Sequence, residues 1–485
     1  MKTKENTIRI MLSLGILLLA CNFVIAEEDF DPVPAYTPSG KLDPSPMQLP
    51  KFIKKNLKNG LTIYYVPQHE LPVVSIRLLI PTGQLYSPMD KPGLVSFMAD
   101  LITEGTENRT STQMAEEIDF VGGSINSGSG WNAIYIQSSV LTRDIDLALE
   151  LVSDCAIKAN FPEEEIERLR PQIIAGIMQD KDSPSAIAGK QYAKFVYGDH
   201  PYGMPGSGSE ESVGAFTRDE ITGQYKNLVA PNQAILAVSG DIDWKKAHKL
   251  VKKYFTGWKK RTTKLAAIGD PVMAPGGEIL LVDKTDAVQS EVRMGYVCSP
   301  YYMGKDQAAF SLMNYIFGAG GFSSRMMLRI RNDLGLVYDT RSNISSKQKK
   351  GAYTFSASTG TETTGQVIEE IYGLMKTAIK DGFTEKELQD AKAFLIGKYP
   401  ARFETPQQLA TQFQTALMFD VPDPQNYIET YRQRMAAVTL DEINAMAKKY
   451  LQPENIRMTV VGKADEVTDQ LSPFGNVKTI TLDDL

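Results

Sequence analysis

Segments of this chain recur at a nearly fixed spacing, and that duplication constrains the fold more than any single motif does. Ser75-Ile76-Arg77-Leu78 returns as Glu291-Val292-Arg293-Met294, an offset of 216 from Ile76 to Val292. Ala133 to Gln137 matches Ala352 to Ser356 at an offset of 219. Pro184 to Ala188 matches Pro406 to Ala410 at 222, and Ile235 to Gly240 matches Ile456 to Gly462 at 221. Four matches in the same order make two homologous halves of about 220 residues each. Residues 51–257 would form the first half and 278–485 the second.

Each half carries the same succession of local patterns. Leu61 to Val66 and Val73 to Pro81 are β-branched or alternating runs that read as strands. A helix is expected from Gly93 to Ile102. Another follows Ser111-Thr112, whose hydroxyls would cap it, and Gly122-Gly123 stops it. Trp131 to Leu141 alternates as a strand, and Thr142 then caps a helix with Ile145, Leu149 and Val152 on one face. The second half repeats this with a strand from Ala352 to Ser358 and a helical stripe of Val367, Ile368, Ile371, Leu374 and Met375. Strands grouped with helices predict α+β halves, each a largely antiparallel sheet with helices packed on it. Between them, the Lys-rich segment from Trp258 to Lys264, and Pro271 and Pro275 beyond it, read as an exposed linker over 258–277.

The N-terminus has the order of an export signal. Lys2, Lys4 and Arg9 precede an apolar run from Ile10 to Ala20, and Val24-Ile25-Ala26 offers a small-residue cleavage site. Residues 1–26 are therefore expected to be a signal peptide, followed by an extended Pro-rich leader over 27–50. Leu18-Leu19-Ala20-Cys21 also resembles a bacterial lipoprotein signal, which leaves a lipid anchor at Cys21 open beside simple cleavage. Either route delivers the protein to an oxidising compartment, the bacterial periplasm or cell envelope. Cys155 and Cys298 are there either a disulfide or two buried free thiols, the latter being the simpler reading. A net charge of −6 and the lack of a basic cluster argue against nucleic acid as a partner.

The chemistry-bearing stretch of the first half is Gly93-Leu94-Val95-Ser96-Phe97-Met98-Ala99-Asp100-Leu101-Ile102-Thr103-Glu104-Gly105-Thr106. It is followed by Glu107-Asn108-Arg109-Thr110 and later by Tyr197-Gly198-Asp199-His200-Pro201-Tyr202-Gly203. Together with the duplication, these resemble the pitrilysin/insulinase-type zinc peptidases over roughly residues 50 to 465. In that family the helix carries H-x-x-E-H, two His holding zinc and the Glu activating water, with a third ligand from a later helix. The resemblance puts Ser96 and Asp100 at the two His positions, Ala99 at the Glu position and Gly176 at the third ligand. The three His of the chain, His69, His200 and His248, are far apart and lack ligand spacing. No metal is expected in this chain. Glu104 and Asp180 read as solvated helix faces, His200 as a loop anchor, and Ser96 lacks the setting of a serine nucleophile.

The second half keeps a different motif. Gly318-Ala319-Gly320-Gly321-Phe322-Ser323-Ser324-Arg325-Met326 leads into Ile330-Arg331-Asn332-Asp333-Leu334-Gly335-Leu336-Val337-Tyr338. Its Gly-rich run lacks the Lys-Ser/Thr or Rossmann context of a nucleotide site. It resembles the family stretch whose Arg and Tyr close onto substrate from the half opposite the zinc. Arg331 and Tyr338 are the residues implied, as donors to a scissile carbonyl or holders of the peptide backbone. The resemblance further implies a clam-shell arrangement and an extended peptide added to an exposed strand edge. Ser124, Ile125 and Asn126 are candidates for lining that edge. It also implies the role of a non-zinc subunit in a heterodimeric metallopeptidase, acting on short or unfolded peptides with a homologous partner that bears H-x-x-E-H and the zinc. The alternative is a non-catalytic scaffold or peptide-binding protein of the cell envelope, for which the retained Arg331 and Tyr338 have no use.

Overall fold

The computed structural model describes residues 42–485 apart from 263, 264 and 346. The export signal, the Cys21 anchor and most of the leader lie outside the described residues. Within them no helix is long and apolar enough to cross a membrane.

Among the described residues twelve strands form two six-stranded open sheets, and the strand orders state the duplication in space. The first sheet contains β1 (Ile53–Asn56), β2 (Thr62–Pro67), β3 (Val73–Ile80), β4 (Ser124–Ser129), β5 (Ile134–Leu141) and β6 (Ile235–Gly240). Its order is β1-β2-β6-β3-β5-β4. The second contains β7 (Glu278–Asp283), β8 (Gln289–Ser299), β9 (Val337–Ile344), β10 (Gly351–Gly360), β11 (Arg457–Gly462) and β12 (Asn476–Thr481), in the order β12-β7-β11-β8-β10-β9. Five strands correspond one to one, and β4 and β9 occupy equivalent edges. The sixth differs: β1 pairs antiparallel with β2, whereas β12 pairs parallel with β7. The sheets are mixed, because β2 with β6 and β7 with β11 are also parallel. With helices packed on them, the two sheets make the α+β architecture expected from the sequence.

Each half has its own apolar core. In the first, Leu149 and Val152 from the helix Ile145–Lys158 are fully buried with Ile76, Leu78 and Ile136 of the sheet. In the second, Val367, Ile368, Ile371 and Met375 of the helix Thr364–Asp381 do the same against Phe355 and Val460. Burying such side chains contributes roughly 1.5–3 kcal/mol each, which fixes these stripes onto the sheets.

The halves then exchange helices. Pro184–Tyr197 of the first half lies on β8 and β11 of the second, with Ile187 and Ala188 packed on Val282 and Val461. Its sequence counterpart, Pro406–Met418, lies on β3 and β6 of the first half, where Phe413 meets Tyr64 edge-on. Gln414, fully buried on that helix, accepts from Arg77 Nη1 (2.7 Å) and donates to the carbonyls of Arg77 (2.9 Å) and Ile235 (2.8 Å).

Several local expectations need correction. Trp258 is not part of an exposed linker: its ring is buried beside Phe255, and Asn59 Nδ2 donates to its carbonyl. Pro271 is buried too, and Arg457 holds the Pro275 carbonyl. The described end of the leader is tied down, with the Met47 amide donating to Glu429 O and Arg432 to Asp43 O. Thr110, rather than Ser111 or Thr112, caps the helix Ser111–Phe120, in a capping box with Gln113. Thr142 does not cap its helix. Its hydroxyl donates to Asp241, and a 3-10 turn over Thr142–Asp144 precedes Ile145–Lys158. Cys155, on that helix, and Cys298, on β8, are free thiols.

Candidate functional site

The helix Leu94–Asp100 starts at Gly93, whose φ of 86° and contact with Gly208 leave no room for a side chain. Leu94, Val95, Phe97, Met98 and Ala99 face the core, and Ser96 and Asp100, one turn apart, are half-buried on a common face. Ala99 thus presents a methyl group to the interior. Burial, and secondarily the negative charge of Glu104, push the Asp100 carboxyl up to about 6. Glu104 is held by Arg168, which also binds Glu165 at 2.6 Å, and Asp180 pairs with Lys190 at 2.8 Å. Gly176 sits exposed on the helix Glu163–Asp182, and a Cβ built there meets nothing within 4 Å. Its neighbourhood has room for a longer side chain that this chain does not supply. One hydroxyl, one carboxylate, one methyl and a bare Cα do not make the three good donors of a catalytic zinc site. Among the described residues no group of three or more His, Cys, Asp or Glu is placed to hold a metal ion. The donor set does not fit zinc.

Beside this helix runs the edge strand β4. Ser127 Oγ donates to Ala99 O (2.7 Å) and lies 3.2 Å from Thr103 Oγ1, which pins the strand to the helix. Ser124 and Asn126 are exposed and Ile125 is half-buried, paired through Ser124↔Ser139, Ile125↔Ser138 and Asn126↔Gln137 to β5. Among the described residues the outer side of β4 takes no further backbone partner. Its free N–H and C=O groups suit the addition of an extended peptide.

Arg331 lies on a π-helical turn, Met327–Asp333. The turn ends where the amides of Leu334, Gly335 and Leu336 donate back to Arg329, Arg331 and Ile330, with Gly335 at φ +66°. That reversal sends the chain into β9 and sets Tyr338 beside the residue seven positions earlier. The Arg331 guanidinium lies 4.8 Å from the Phe322 ring centre and 5.6 Å from that of Tyr338. Tyr338 is 85% exposed and Phe322 67%. Neighbouring arginines are committed to acids: Arg325 to Glu387 at 2.6 and 2.8 Å, Arg329 to Glu370 at 2.9 and 3.1 Å, and Arg341 to Asp339. Arg331 touches only Asn332 Oδ1, at 3.4 Å, among the described polar partners. The result is a cation held between two exposed rings with its N–H fork unspent. Sequence reasoning did not single out Phe322; its signal was an aromatic directly after Gly320-Gly321.

The structure therefore brings Arg331 and Tyr338 together, and separately joins β4 to the Ser96–Asp100 helix. No hydrogen bond, ion pair or ring contact among the described residues ties one group to the other. His200 anchors a loop: its Nδ1 accepts from the Tyr202 amide (3.1 Å) and its Nε2 lies 3.2 Å from Gly269 O.

Two family profiles match the sequence, insulinase (peptidase family M16) over residues 63–206 and the peptidase M16 inactive domain over 215–395. An uncharacterized zinc protease of Mycobacterium leprae is 27% identical over 407 residues, 82% of this chain and 89% of that protein. A non-peptidase homolog, YmxG, of Helicobacter pylori is 23% identical over 405 residues, 82% and 91% of the two chains. Among solved structures, a peptidase M16 inactive domain from Pseudomonas fluorescens superimposes with a TM-score of 0.79 at 22% identity, covering 85% of this chain and 98% of that one. The periplasmic protease PqqL from Escherichia coli gives 0.72 at 15% identity, covering 90% of this chain but 51% of PqqL.

Proposed function

The chain belongs to peptidase family M16, and we propose that it is the zinc-lacking subunit of a heterodimeric metallopeptidase, exported to the bacterial periplasm or cell envelope. The observation that carries this reading is the exposed Arg331–Tyr338 pair, unspent on any acid, in a chain whose zinc positions hold Ser96, Ala99, Asp100 and Gly176. A pure scaffold gains nothing from a solvent-facing guanidinium between two aromatic rings. PqqL supports the pairing, since this chain corresponds to about half of that one. PqqL is also periplasmic by its description, in keeping with export.

In this reading the partner is a homologous chain with an intact H-x-x-E-H, and the zinc is the partner's. The present chain contributes donors. The Arg331 fork and the Tyr338 phenol hydrogen-bond the scissile carbonyl oxygen or the adjacent peptide backbone as negative charge builds on it. Ser124, Ile125 and Asn126 on β4 offer backbone groups to an extended peptide, so selection is for short or unfolded chains rather than a narrow sequence.

The test is hydrolysis of a quenched peptide by this protein, by the zinc-bearing partner and by the mixture. Activity is expected in the mixture alone and is abolished by chelator. Loss of one carbonyl donor costs on the order of 3 kcal/mol, so Arg331→Ala should slow the mixture by about a hundredfold. Tyr338→Phe should slow it by less if the ring packs on Arg331 as well as donating. A mixture no faster than the zinc partner alone sinks the catalytic reading. The second reading, a non-catalytic peptide-binding protein of the envelope, then stands, and the description of the Helicobacter pylori relative as a non-peptidase homolog favours it.

A further inference from the structure

A concavity lies wholly within the second half, and neither Arg331 nor Tyr338 lines it. It opens between the helix Gln307–Asn314 and the helices of residues 385–437, with a volume of about 430 Å³. That is within the range of small-ligand sites, and its walls are aromatic. Tyr315 stacks on Phe394 (5.1 Å between centres) on one side, and Tyr399 stacks on Tyr431 (4.0 Å) on another. Three cations reach the same space, Lys398, Arg402 and Arg434, and no Asp or Glu lines it.

None of the three cations is neutralised by a carboxylate among the described residues. Lys398 lies 5.4 Å from the Phe394 ring centre and Arg402 5.8 Å from that of Tyr399. Arg434 covers the Tyr427 ring at 4.0 Å and donates to Tyr427 O and Thr430 Oγ1, both at 2.7 Å. Three cations with no acid among the lining residues of one pocket are a concentration of positive potential. The floor adds a donor. Asn314 is 93% buried and spends its Oδ1 on the hydroxyls of Ser342 (2.6 Å) and Tyr353 (2.7 Å). Both bonds fix the amide orientation, leaving Nδ2 as the group without a described partner, on a side chain that lines the pocket.

We infer that this pocket binds an apolar carboxylate, its acid group held by Arg402, Lys398 and the Asn314 amide and its hydrocarbon or aromatic body packed between the tyrosine walls. Guanidinium and carboxylate match as a bidentate pair, and stacked rings take an aliphatic or aryl group without cost in unpaired polar atoms. Such a ligand comes either as the free C-terminal residue of a peptide or as a small aliphatic or aryl acid. The site is independent of the catalytic reading and needs neither zinc nor a partner subunit.

Titration calorimetry on the intact chain tests it with four probes: Ala-Phe-Phe with a free carboxylate, the same tripeptide amidated, 3-phenylpropionate and octanoate. At least one of the free acids is expected to bind, with the amide at least tenfold weaker than the tripeptide acid if the peptide is the ligand. Binding of the tripeptide acid assigns the pocket to peptide C-termini, and binding of phenylpropionate or octanoate alone assigns it to small acids. Lys398 and Arg402 are exposed, so Lys398→Gln with Arg402→Gln should leave the melting temperature unchanged and weaken binding at least tenfold. No binding of any acid at millimolar concentration, equal binding of acid and amide, or full affinity in the folded double variant overturns the proposal.

Discussion

Replacing Lys347 with Met should stabilise this protein at pH 6, and the gain should fade as the pH rises. Lys347 is buried in a box of rings from the first half, its Nζ 4.0 Å from the centres of Trp131 and Tyr202 and 4.9 Å from Tyr197. It sits where the halves are stitched. The Gln348 amide donates to Asn132 Oδ1 (2.9 Å), the Lys349 amide to the Tyr202 hydroxyl (3.2 Å) and the Ala352 amide to the Tyr197 hydroxyl (2.7 Å). The other charged or titratable groups facing this junction are His200, Lys349, Lys350 and Asp270, and none forms an ion pair with Lys347. Loss of water pushes the ammonium from 10.5 down to about 7. Between those values the unfolded chain holds a proton that the folded chain has released, so stability climbs with pH across that window, and the whole penalty is present below it. The fall from 10.5 to about 7 corresponds to about 5 kcal/mol at 1.36 kcal/mol per pH unit. The ring faces favour the cation and return roughly 2 kcal/mol, leaving about 3 kcal/mol and confining the pH dependence to the upper part of that window. Met keeps the length and loses the charge. Urea unfolding of both proteins at pH 6, 7.5, 9 and 10.5 should show the variant ahead by about 3 kcal/mol at pH 6, converging by pH 10.5. A variant equal to or weaker than the parent at pH 6, with a pH-independent difference, would mean that the rings fully stabilise the cation and that this reasoning is wrong.

Gln414→Ala should cost about 3 kcal/mol, because it strands the half-to-half Arg77 guanidinium and two buried carbonyls; chemical denaturation reads it directly. Arg109→Met should cost roughly 3–5 kcal/mol in the same assay, since Asp154 is only 4% exposed and would lose its closest cation while Glu117 and Glu150 lose theirs. Burial pushes the Cys298 thiol up to about 12 and raises Cys155 further, so neither should react with a thiol reagent at pH 8 until the protein is unfolded. Rapid labelling of either in the folded state would contradict the packing around it.

What the sequence disclosed and what it hid follow one physical division. The strands of the repeat were legible because β-branched residues alternate over a few positions, and the same spacing survives in β5 and β10. Their partners were not. β2 meets β6 across some 170 residues of chain, and nothing in the alternation of Thr62–Pro67 says that its neighbour runs parallel. Trp258 was read as linker because the lysines after it look solvated; its burial depends on Phe255 and on Asn59, nearly two hundred residues away. Thr110 and Thr142 show the same division at close range. Each hydroxyl chose between local amides and a tertiary acceptor, and Asp241 won at Thr142.

The candidate site divides along that line as well. That Ser96, Ala99 and Asp100 offer no His or Glu is a matter of residue identity on one helix and needs no structure to be seen. That Arg331 is unspent does need one. Arg325, Arg329 and Arg331 sit within seven residues and read alike, yet Glu387 and Glu370 claim the first two from distant helices. Among the described residues, the side chains that lie against the Arg331 guanidinium are the rings of Phe322 and Tyr338 rather than a carboxylate. A carboxylate there would tie up the fork. Rings hold the guanidinium in place and leave its N–H groups for an oxygen that arrives from outside. In the proposed heterodimer, substituting Phe322 by Glu is therefore expected to slow the mixture as much as removing Arg331, with the melting temperature unchanged. Retained activity in Phe322→Glu would show that the free fork is not what the chain contributes.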